Sequence, residues 1–230
     1  MKFENTEVFN FEGALRGMRN AKNSWDRADS KWEDGKFVIG PNDLKLCTAL
    51  IKSGPEHRKF MRQIFVSVDI TAPLYWYKEF DTYKVGTVAN STSTMHKLAA
   101  TPITKECFEM DDFNELLAAD PAHKQMANVW DELIDNCEAL RVKFNETKDK
   151  RYWKELIRLL PESWLQKRTV TMNYENLLAM CSKGQRRHHK LNEWSGDDNR
   201  ELTNFISWAR TLPYAQELIF GDEIVETKVV

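Results

Sequence analysis

Two stretches of this chain carry side chains that could bind or transform a small ligand. One is GTVANSTSTMH, residues 86–96, in which hydroxyl and amide groups are dense. The other is KGQRRHHK, residues 183–190, where Arg186 and Arg187 are adjacent. A guanidinium presents a planar fork of N–H donors that matches the oxygens of a phosphate, and histidine titrates near neutral pH. The first stretch could therefore line a ligand pocket, and the second predicts a site for a phosphate.

The basic stretch has two other interpretations. It could be the solvated face of a helix, or a small patch that binds nucleic acid. Nucleic acid is the weaker alternative, because the basic run is short and the whole chain has a net charge of −2. His188 and His189 would point in different directions on a helix, so we expect no metal site there.

The sequence lacks the common catalytic signatures. It contains no G-x-G-x-x-G, no G-x-x-x-x-G-K-[ST], no G-x-S-x-G and no H-E-x-x-H. The usual motifs of dinucleotide binding, phosphate loops, serine hydrolases and zinc proteases are therefore excluded. No residue can be assigned a catalytic role from these patterns.

The composition is typical of a globular protein, with 30% charged and 42% hydrophobic residues among 230. The four cysteines are far apart and form no C-x-x-C pair, as expected for free thiols of a reducing compartment. The apolar runs are far shorter than the roughly 20 residues of a membrane span. The N-terminus also lacks the apolar core of a secretory signal. We expect a cytoplasmic protein with no membrane partner.

Hydrophobic periodicity predicts the elements that would position these stretches. Residues 63–71 alternate between apolar and other side chains, which indicates a half-buried strand. Its apolar face comprises Ile64, Val66, Val68 and Ile70. Pro73 would end this strand and open a helix through LYWYKEFDTY, because proline suits the first turn of a helix. That helix would lead directly into the hydroxyl-rich stretch.

The rest of the chain is predicted to be mostly helical. Further helices are expected at residues 8–20, from Pro41, from Tyr174 and in ELTNFISWARTL and PYAQELIF, and strands at residues 37–39 and 167–173. The longest helix would have Asp120 as its N-cap and Pro121 at its first position. Its apolar seam, which could face the core or another subunit, comprises Met126, Trp130, Leu133, Cys137, Leu140 and Phe144. We predict an α+β fold: a mostly helical single domain over residues 1–230 with a small central β-sheet.

The region from Glu56 to Leu98 resembles the core motifs of the flavin-dependent thymidylate synthases. That family carries G-H-x-[ST]-x-x-E-H before a strand, then an A-P-like break and Q-x-x-R-H-R-x7-S. The corresponding positions here are Glu56-His57 and Arg62-Gln63 for the first motif, Ala72-Pro73 for the break, Glu79 for the glutamine and Thr92 for the serine. Downstream, Leu160-Pro161 and residues 172–177 resemble the family's L-P…V-N-x-R-S-L segment, so the resemblance covers about two-thirds of the chain.

The phosphate-binding arginines of that family are replaced here. Thr82-Tyr83-Lys84 stand in place of R-H-R, which in the family contacts the flavin and its phosphates, and Thr94 replaces a later arginine. Threonine carries no charge and lysine is only a point charge. Each lost charge-assisted hydrogen bond would be worth about 1.5–3 kcal/mol. Either the ligand has changed, or other cations such as Lys78, Lys84, Arg168 and Arg186 do the same work.

The resemblance implies a specific activity. A methylene group would pass from methylenetetrahydrofolate to deoxyuridylate (dUMP), with reduced FAD as the hydride source and NADPH to regenerate it, in a homotetramer. It implies cofactor-binding roles for His57, Tyr83, Lys84 and Asn90. It implies substrate-binding roles for Glu79, Thr92, Ser93, Arg186 and Arg187. It implies no metal and no protein nucleophile.

Two alternatives to this enzyme remain open. One is a catalytically silent relative that binds a nucleotide or a protein partner. The other is an unrelated helical protein whose basic helix binds nucleic acid.

Overall fold

The computed structural model describes residues 1–83, 85–93, 97–120, 122–184 and 186–221. The protein has an α+β fold that is mostly helical and contains a small antiparallel sheet, which confirms the predicted fold class. The chain divides into two compact units. The first comprises residues 1–70, 80–90 and those from 169 onward, and the second comprises residues 71–79 and 91–168. A single domain over residues 1–230 stays a prediction.

Short strands and helices alternate along the first half of the chain, and helices dominate the second half. The strands are β1 (Lys2–Phe9), β2 (Lys31–Glu33), β3 (Lys36–Val38), β4 (Phe65–Pro73), β5 (Val88–Ser91) and β6 (Leu165–Asn173). The helices are α1 (Phe11–Arg19), α2 (Pro41–Lys52), α3 (Leu74–Phe80), α4 (Phe113–Ala119), α5 (His123–Thr147), α6 (Lys150–Leu159), α7 (Tyr174–Met180), α8 (Asn192–Ser195), α9 (Phe205–Arg210) and α10 (Ala215–Leu218). Single 3₁₀ turns include Lys59–Gln63 and Asp81–Tyr83.

Strand β4 is the most regular part of the core. The alternation predicted for it is confirmed, because Ile64, Val66, Val68 and Ile70 are all 0% exposed. The main sheet has the order β1-β4-β6-β5, so β4 and β6 are its inner strands. A separate antiparallel hairpin joins β2 to β3, with Trp32 opposite Phe37. Because β4 is an inner strand with one face completely buried, its sequence shows the clearest alternation of apolar and other residues.

The predicted start of the long helix is wrong. Helix α5 begins at His123 with Ala122 as its N-cap, while the carboxylate of Asp120 accepts a hydrogen bond from the backbone N–H of Ala122. Pro121 lies outside the described residues. The seam is buried at Cys137, whereas Met126 near the start of the helix is 49% exposed. The middle of the helix therefore packs on the core of the second unit, with Phe108 and Leu156.

The basic stretch is not helical where the structure describes it. Residues 183–184 and 186–188 form turns, and residues 189–190 have no regular structure. The interpretation that placed these charges on the solvated face of a helix is therefore wrong for the described part of the stretch, whereas binding of nucleic acid by this stretch stays an open alternative.

A buried ion pair fixes the start of the first unit. Arg19 at the end of α1 donates from Nε to Asp43 in α2 over 2.6 Å, and the two residues are 4% and 1% exposed. Burial alone would raise the pKa of Asp43, but hydrogen bonds from Ser30, Arg19 and the backbone of Asp29 outweigh it and hold the pKa below its usual value. The pair thus joins two helices and the segment between them.

The four cysteines are unbridged, and three of them are buried. Burial raises the pKa of the Cys47 thiol to about 12, and burial likewise raises that of Cys181 to about 12. Among the residues that the structure describes, no helix combines the length and the apolar character needed to span a bilayer.

We expect Asp43→Asn to destabilise the protein strongly, because it leaves the buried Arg19 guanidinium without a counter-charge. Loss of one partner of a buried pair costs about 3–5 kcal/mol. Urea unfolding at pH 7 measures the change. Glu155→Gln, which removes half of the exposed Arg158–Glu155 pair, serves as the control and should leave the unfolding midpoint unchanged.

The same pair sets part of the acid sensitivity. Because the folded-state pKa of Asp43 is lowered, its contribution to stability is present above the unfolded-state pKa of about 3.9 and is lost as the pH falls through the folded-state value. The unfolding free energy of Asp43→Asn should therefore fall less steeply than that of the wild type below about pH 4. Parallel acid titrations of both proteins would contradict this assignment.

Candidate functional site

Asn176 joins three segments of the first unit. Its backbone N–H donates to the Asn173 side chain, and its own side-chain oxygen accepts from the backbone N–H of Asn173, each over 3.0 Å. This reciprocal capping box starts helix α7 at the end of β6. The Nδ2 of Asn176 also donates to the carbonyl of Val85 over 2.6 Å. The loop after Tyr83 is thereby tied to the first turn of α7.

Gly86 allows this close approach. Its φ is +79°, and an added Cβ would lie 3.1 Å from Nδ2 of Asn173. A residue with a Cβ would have a strained backbone conformation at this position and a tight contact with the side chain of Asn173. A glycine is thus required where the loop passes the capping box.

Tyr83 and Arg186 contact each other in this unit. The guanidinium carbon of Arg186 lies 4.7 Å from the centre of the Tyr83 ring, within the range of a cation–π contact. The Tyr83 ring also lies 5.6 Å from the ring of Trp194, which is 0% exposed and packs on Phe205. A buried aromatic cluster therefore fixes Tyr83, and Tyr83 in turn positions an exposed guanidinium.

Most donors of Arg186 are available to a ligand. One Nη makes a long 3.4 Å hydrogen bond to the carbonyl of Ala179, and no other hydrogen bond links this side chain to a described residue. No ion pair to a described carboxylate is formed either. An exposed, oriented guanidinium of this kind is suited to bind a phosphate or a carbonyl oxygen.

Arg187 has a different environment. It is 6% exposed, and its Nε and Nη2 donate to the carbonyl of Cys181 over 3.1 and 2.8 Å. Its guanidinium also lies 5.3 Å from the ring of Phe220. The two predicted arginines thus have different environments: Arg186 is exposed and contacts Tyr83, whereas Arg187 is buried and donates to the carbonyl of Cys181.

In the second unit, Thr92 is held by strand β6. Its backbone N–H donates to the carbonyl of Lys167 over 2.8 Å, and its hydroxyl accepts from the backbone N–H of Lys167 over 3.3 Å. Gln166 donates to the carbonyl of Thr92 and accepts from Nε of Arg168. The Arg168 guanidinium lies 3.7 Å from the centre of the Tyr77 ring. Thr92 therefore belongs to an ordered polar cluster.

The other predicted site residues are placed separately. Glu79 and Ser93 in the second unit are half-buried, whereas His57 and Asn90 in the first unit are exposed. Lys84 and Thr94 lie outside the described residues. Among the residues that are described, no three His, Cys, Asp or Glu side chains are grouped so that they could hold a metal ion. The ligand roles of all these residues stay predictions.

A cavity of about 570 Å³ opens in the first unit, and we call it the basic cavity. Its cationic side chains are Lys52, Arg58 and Lys183, and its one carboxylate is that of Glu217. Its apolar walls include Ile51, Leu178, Leu218 and Ile219. Ala179, whose carbonyl accepts from Arg186, also lines it. The volume and the mainly apolar walls are typical of small-molecule sites.

Sequence patterns did not single out Asn176, Lys52 or Arg58. The N-x-x-N spacing of Asn173 and Asn176 at the end of a predicted strand could have indicated the capping box. No local pattern could have indicated the cavity, because its walls come from segments more than 100 residues apart.

Solved structures with the same fold are found at low sequence identity. The flavin-dependent thymidylate synthase of Helicobacter pylori, complexed with FAD and dUMP, matches with a TM-score of 0.62 and 17% identity over 96% of this chain and 99% of that one. A second structure of that enzyme with FAD and dUMP gives 0.61 and 17%, over 96% and 98%. The UMP/dUMP methylase PolB of Streptomyces cacaoi, bound to 5-Br dUMP, gives 0.57 and 14%, over 96% and 95%.

No model of a protein family matches the sequence, and no curated protein matches it. The structural matches establish the fold, and they confirm the resemblance found in the sequence at that level.

The adjacent arginines give a paired prediction for stability. Arg187→Gln should lower the unfolding free energy by about 1.5–3 kcal/mol, since it removes charge-assisted hydrogen bonds to a buried carbonyl. Arg186→Gln should leave the unfolding free energy unchanged within about 0.5 kcal/mol, because this side chain is exposed. Urea unfolding of both variants tests this, and equal destabilisation would contradict the two environments described above.

Proposed function

We propose that this chain, which has the fold of the flavin-dependent thymidylate synthases, binds a deoxyuridylate-type nucleotide and a flavin and methylates the nucleotide. Methylenetetrahydrofolate would supply the carbon, and NADPH would reduce the flavin. The solved neighbours were crystallised with dUMP or a brominated dUMP, and two of them with FAD. The homotetramer and the cytoplasmic location suggested by the resemblance stay predictions.

The contact between Tyr83 and Arg186 is the observation that carries this proposal. The resemblance assigned Tyr83 to the flavin and Arg186 to the nucleotide, from segments about 100 residues apart in the chain. The two side chains are in contact, and Arg186 keeps donors free of described partners. One guanidinium beside one ring is an arrangement that can hold a phosphorylated pyrimidine next to a planar cofactor.

The described residues also fit a flavin nucleotide. FAD carries a planar ring system, an adenosine and a diphosphate, so its site needs apolar surface and positive charge together. The basic cavity offers apolar walls and three cationic side chains, and Ala179, whose carbonyl accepts from Arg186, lines it as well. When bound, the flavin would supply the hydride that the methylation needs.

The roles of this chain's own residues follow from their contacts. Arg186 would bind the anionic group of the nucleotide, and Tyr83 would hold that guanidinium in place. Asn176 would fix the loop that follows Tyr83 through the carbonyl of Val85. Donors whose positions are already fixed lose little conformational entropy on binding, so they favour binding of the ligand in one geometry.

A catalytically silent nucleotide-binding relative is the second candidate. Thr82 and Tyr83 replace the first arginine and the histidine of the R-H-R motif, and Arg187 donates to a backbone carbonyl instead of facing solvent. Flavin affinity could therefore have been lost while the nucleotide site persisted. The two candidates differ in whether flavin binds and turnover occurs.

We predict that Arg186→Gln weakens dUMP binding by roughly 10- to 100-fold, as expected when a charge-assisted hydrogen bond worth about 1.5–3 kcal/mol is lost. Tyr83→Leu should weaken binding in the same direction, while Tyr83→Phe, which retains the ring, should weaken it much less. Calorimetric titration measures these affinities. Lys190→Gln is the control, because this exposed cation in the same stretch has no assigned role.

The absorption spectrum of the purified protein separates the two candidates. A flavin band, together with formation of thymidylate from dUMP, methylenetetrahydrofolate and NADPH, would support the enzyme. Binding of dUMP without a flavin band and without turnover would favour the silent relative. Absence of dUMP binding would contradict both.

A further inference from the structure

A second groove of the first unit lies beside the β2–β3 hairpin, and we call it the hairpin groove. Its volume is about 880 Å³, which is within the range of small-molecule sites. It shares no lining residue with the basic cavity. The side chains that could contact a ligand come mainly from α1 and the hairpin, and they are Glu12, Arg16, Trp32, Lys36, Phe37 and Tyr214. A ligand here would be additional to the flavin proposed for the basic cavity.

Trp32 presents its ring to solvent in this groove. The residue is 60% exposed, although its Nε1 donates to the carboxylate of Glu12 over 3.0 Å. Phe37, its partner on the opposite strand, contacts the same ring edge-on at 5.6 Å. A two-residue turn at Asp34-Gly35, in which both residues have a positive φ, connects the strands. The indole is thus held by two contacts while most of its surface stays open to a stacking partner.

One wall of the groove is held by a strained residue. Tyr214 has a φ of +55°, a conformation that is rare for a bulky side chain. Its hydroxyl accepts from the backbone N–H of Ile39 over 2.8 Å, which ties it to the segment after β3. Backbone strain of this kind persists where surrounding contacts enforce it, and such residues are concentrated at binding sites.

The groove also contains two unpaired cations. Arg16 and Lys36 are exposed, and neither forms a hydrogen bond or an ion pair with a residue in the described ranges. The other charges of the hairpin do not occupy them, because Lys31 pairs with Glu33 over 2.8 Å and Asp34 does not line the groove. The donors of both cations are therefore available to an anion.

These groups together define the class of ligand. An exposed indole can stack on any nucleobase, since every base has a π-face. Arg16 and Lys36 can bind a phosphate. Glu12 accepts from Trp32 with one carboxylate oxygen, and no described residue donates to the other, so that oxygen can accept from a ribose hydroxyl or an exocyclic amine. A planar base, an anionic group and hydroxyl donors are the features that a nucleotide combines.

We propose that the hairpin groove binds a nucleoside monophosphate, with its base on Trp32 and its phosphate at Arg16 and Lys36. It is a second nucleotide site, independent of the one proposed at Arg186, because the two share no residue. The volume of the groove and its two cations fit one nucleotide, whereas a longer single strand would need a basic groove that follows its backbone.

AMP is the probe, because its purine offers a large surface for stacking. Fluorine NMR of the full-length protein labelled with 5-fluorotryptophan reports on its eight tryptophans, and Trp32→Phe and Trp25→Phe assign two of the signals. Addition of AMP should shift the Trp32 signal and leave the Trp25 signal unchanged. Trp25 is the matched control, since it is 50% exposed, donates its Nε1 to Asn20 and does not line the groove.

Variants test the individual contacts. Arg16→Gln and Lys36→Gln should each weaken AMP binding by roughly tenfold, measured by titration at the Trp32 signal. Lys31→Gln, which changes a hairpin lysine outside the groove, should leave it unaltered. Trp32→Ala should weaken AMP binding by roughly 10- to 100-fold in calorimetry, through the loss of base stacking.

Three results would overturn this site. They are a Trp32 signal that AMP does not move, an AMP affinity that survives Arg16→Gln at an unchanged melting temperature, and an affinity for oligonucleotides that rises steadily with their length. Arg186→Gln should leave the AMP-dependent shift of Trp32 intact, and loss of that shift would place AMP at the other site. Absence of dUMP binding in a protein that still binds AMP at Trp32 would contradict the proposed function alone.

Discussion

The candidate site depends on the two asparagines that begin helix α7. Asn173 and Asn176 satisfy each other's backbone N–H groups, and Asn176 has one further donor for the carbonyl of Val85. A helix start needs partners for its free N–H groups in any protein. Here the Asn176 side chain, which accepts from the backbone N–H of Asn173, also fixes the loop after Tyr83. The position of the Tyr83 ring, and with it the orientation of Arg186, follows from this hydrogen bond and from the buried Trp194.

The cations near this site stand at other positions than the R-H-R motif of the family with the same fold. Thr82-Tyr83-Lys84 cannot reproduce the contacts of two guanidinium groups, yet the fold matches that of the Helicobacter pylori enzyme over nearly the whole chain. Guanidinium groups occur instead at Arg58, held by Glu175, and at Arg186, held by Tyr83. In both cases a neighbouring side chain sets the orientation, so the donor keeps its geometry without help from a ligand.

Elements with one buried and one exposed face could be predicted from the sequence, because such burial leaves a periodic pattern. Features that depend on contacts with residues distant in the chain could not. Strand β4 was predicted because each second residue is fully buried, which leaves a period of two. Strand β1 (Lys2–Phe9) was not, since it is an edge strand and six of its eight residues are exposed. Arg186 and Arg187 are identical in type and adjacent, so no local pattern could show that only one of them is buried. Their difference arises from Tyr83 and from the carbonyl of Cys181, which are distant side-chain and backbone partners.

The buried cysteines have a consequence for the chemistry open to this protein. Burial raises the pKa of Cys47 and Cys181 to about 12, so both remain protonated thiols at pH 7. Neither sulfur can attack a pyrimidine ring or an alkylating reagent at a useful rate, and Cys137 is shielded in the same way. Any carbon transfer would therefore proceed without a covalent adduct to these three sulfurs, and the folded protein should resist oxidative damage at them.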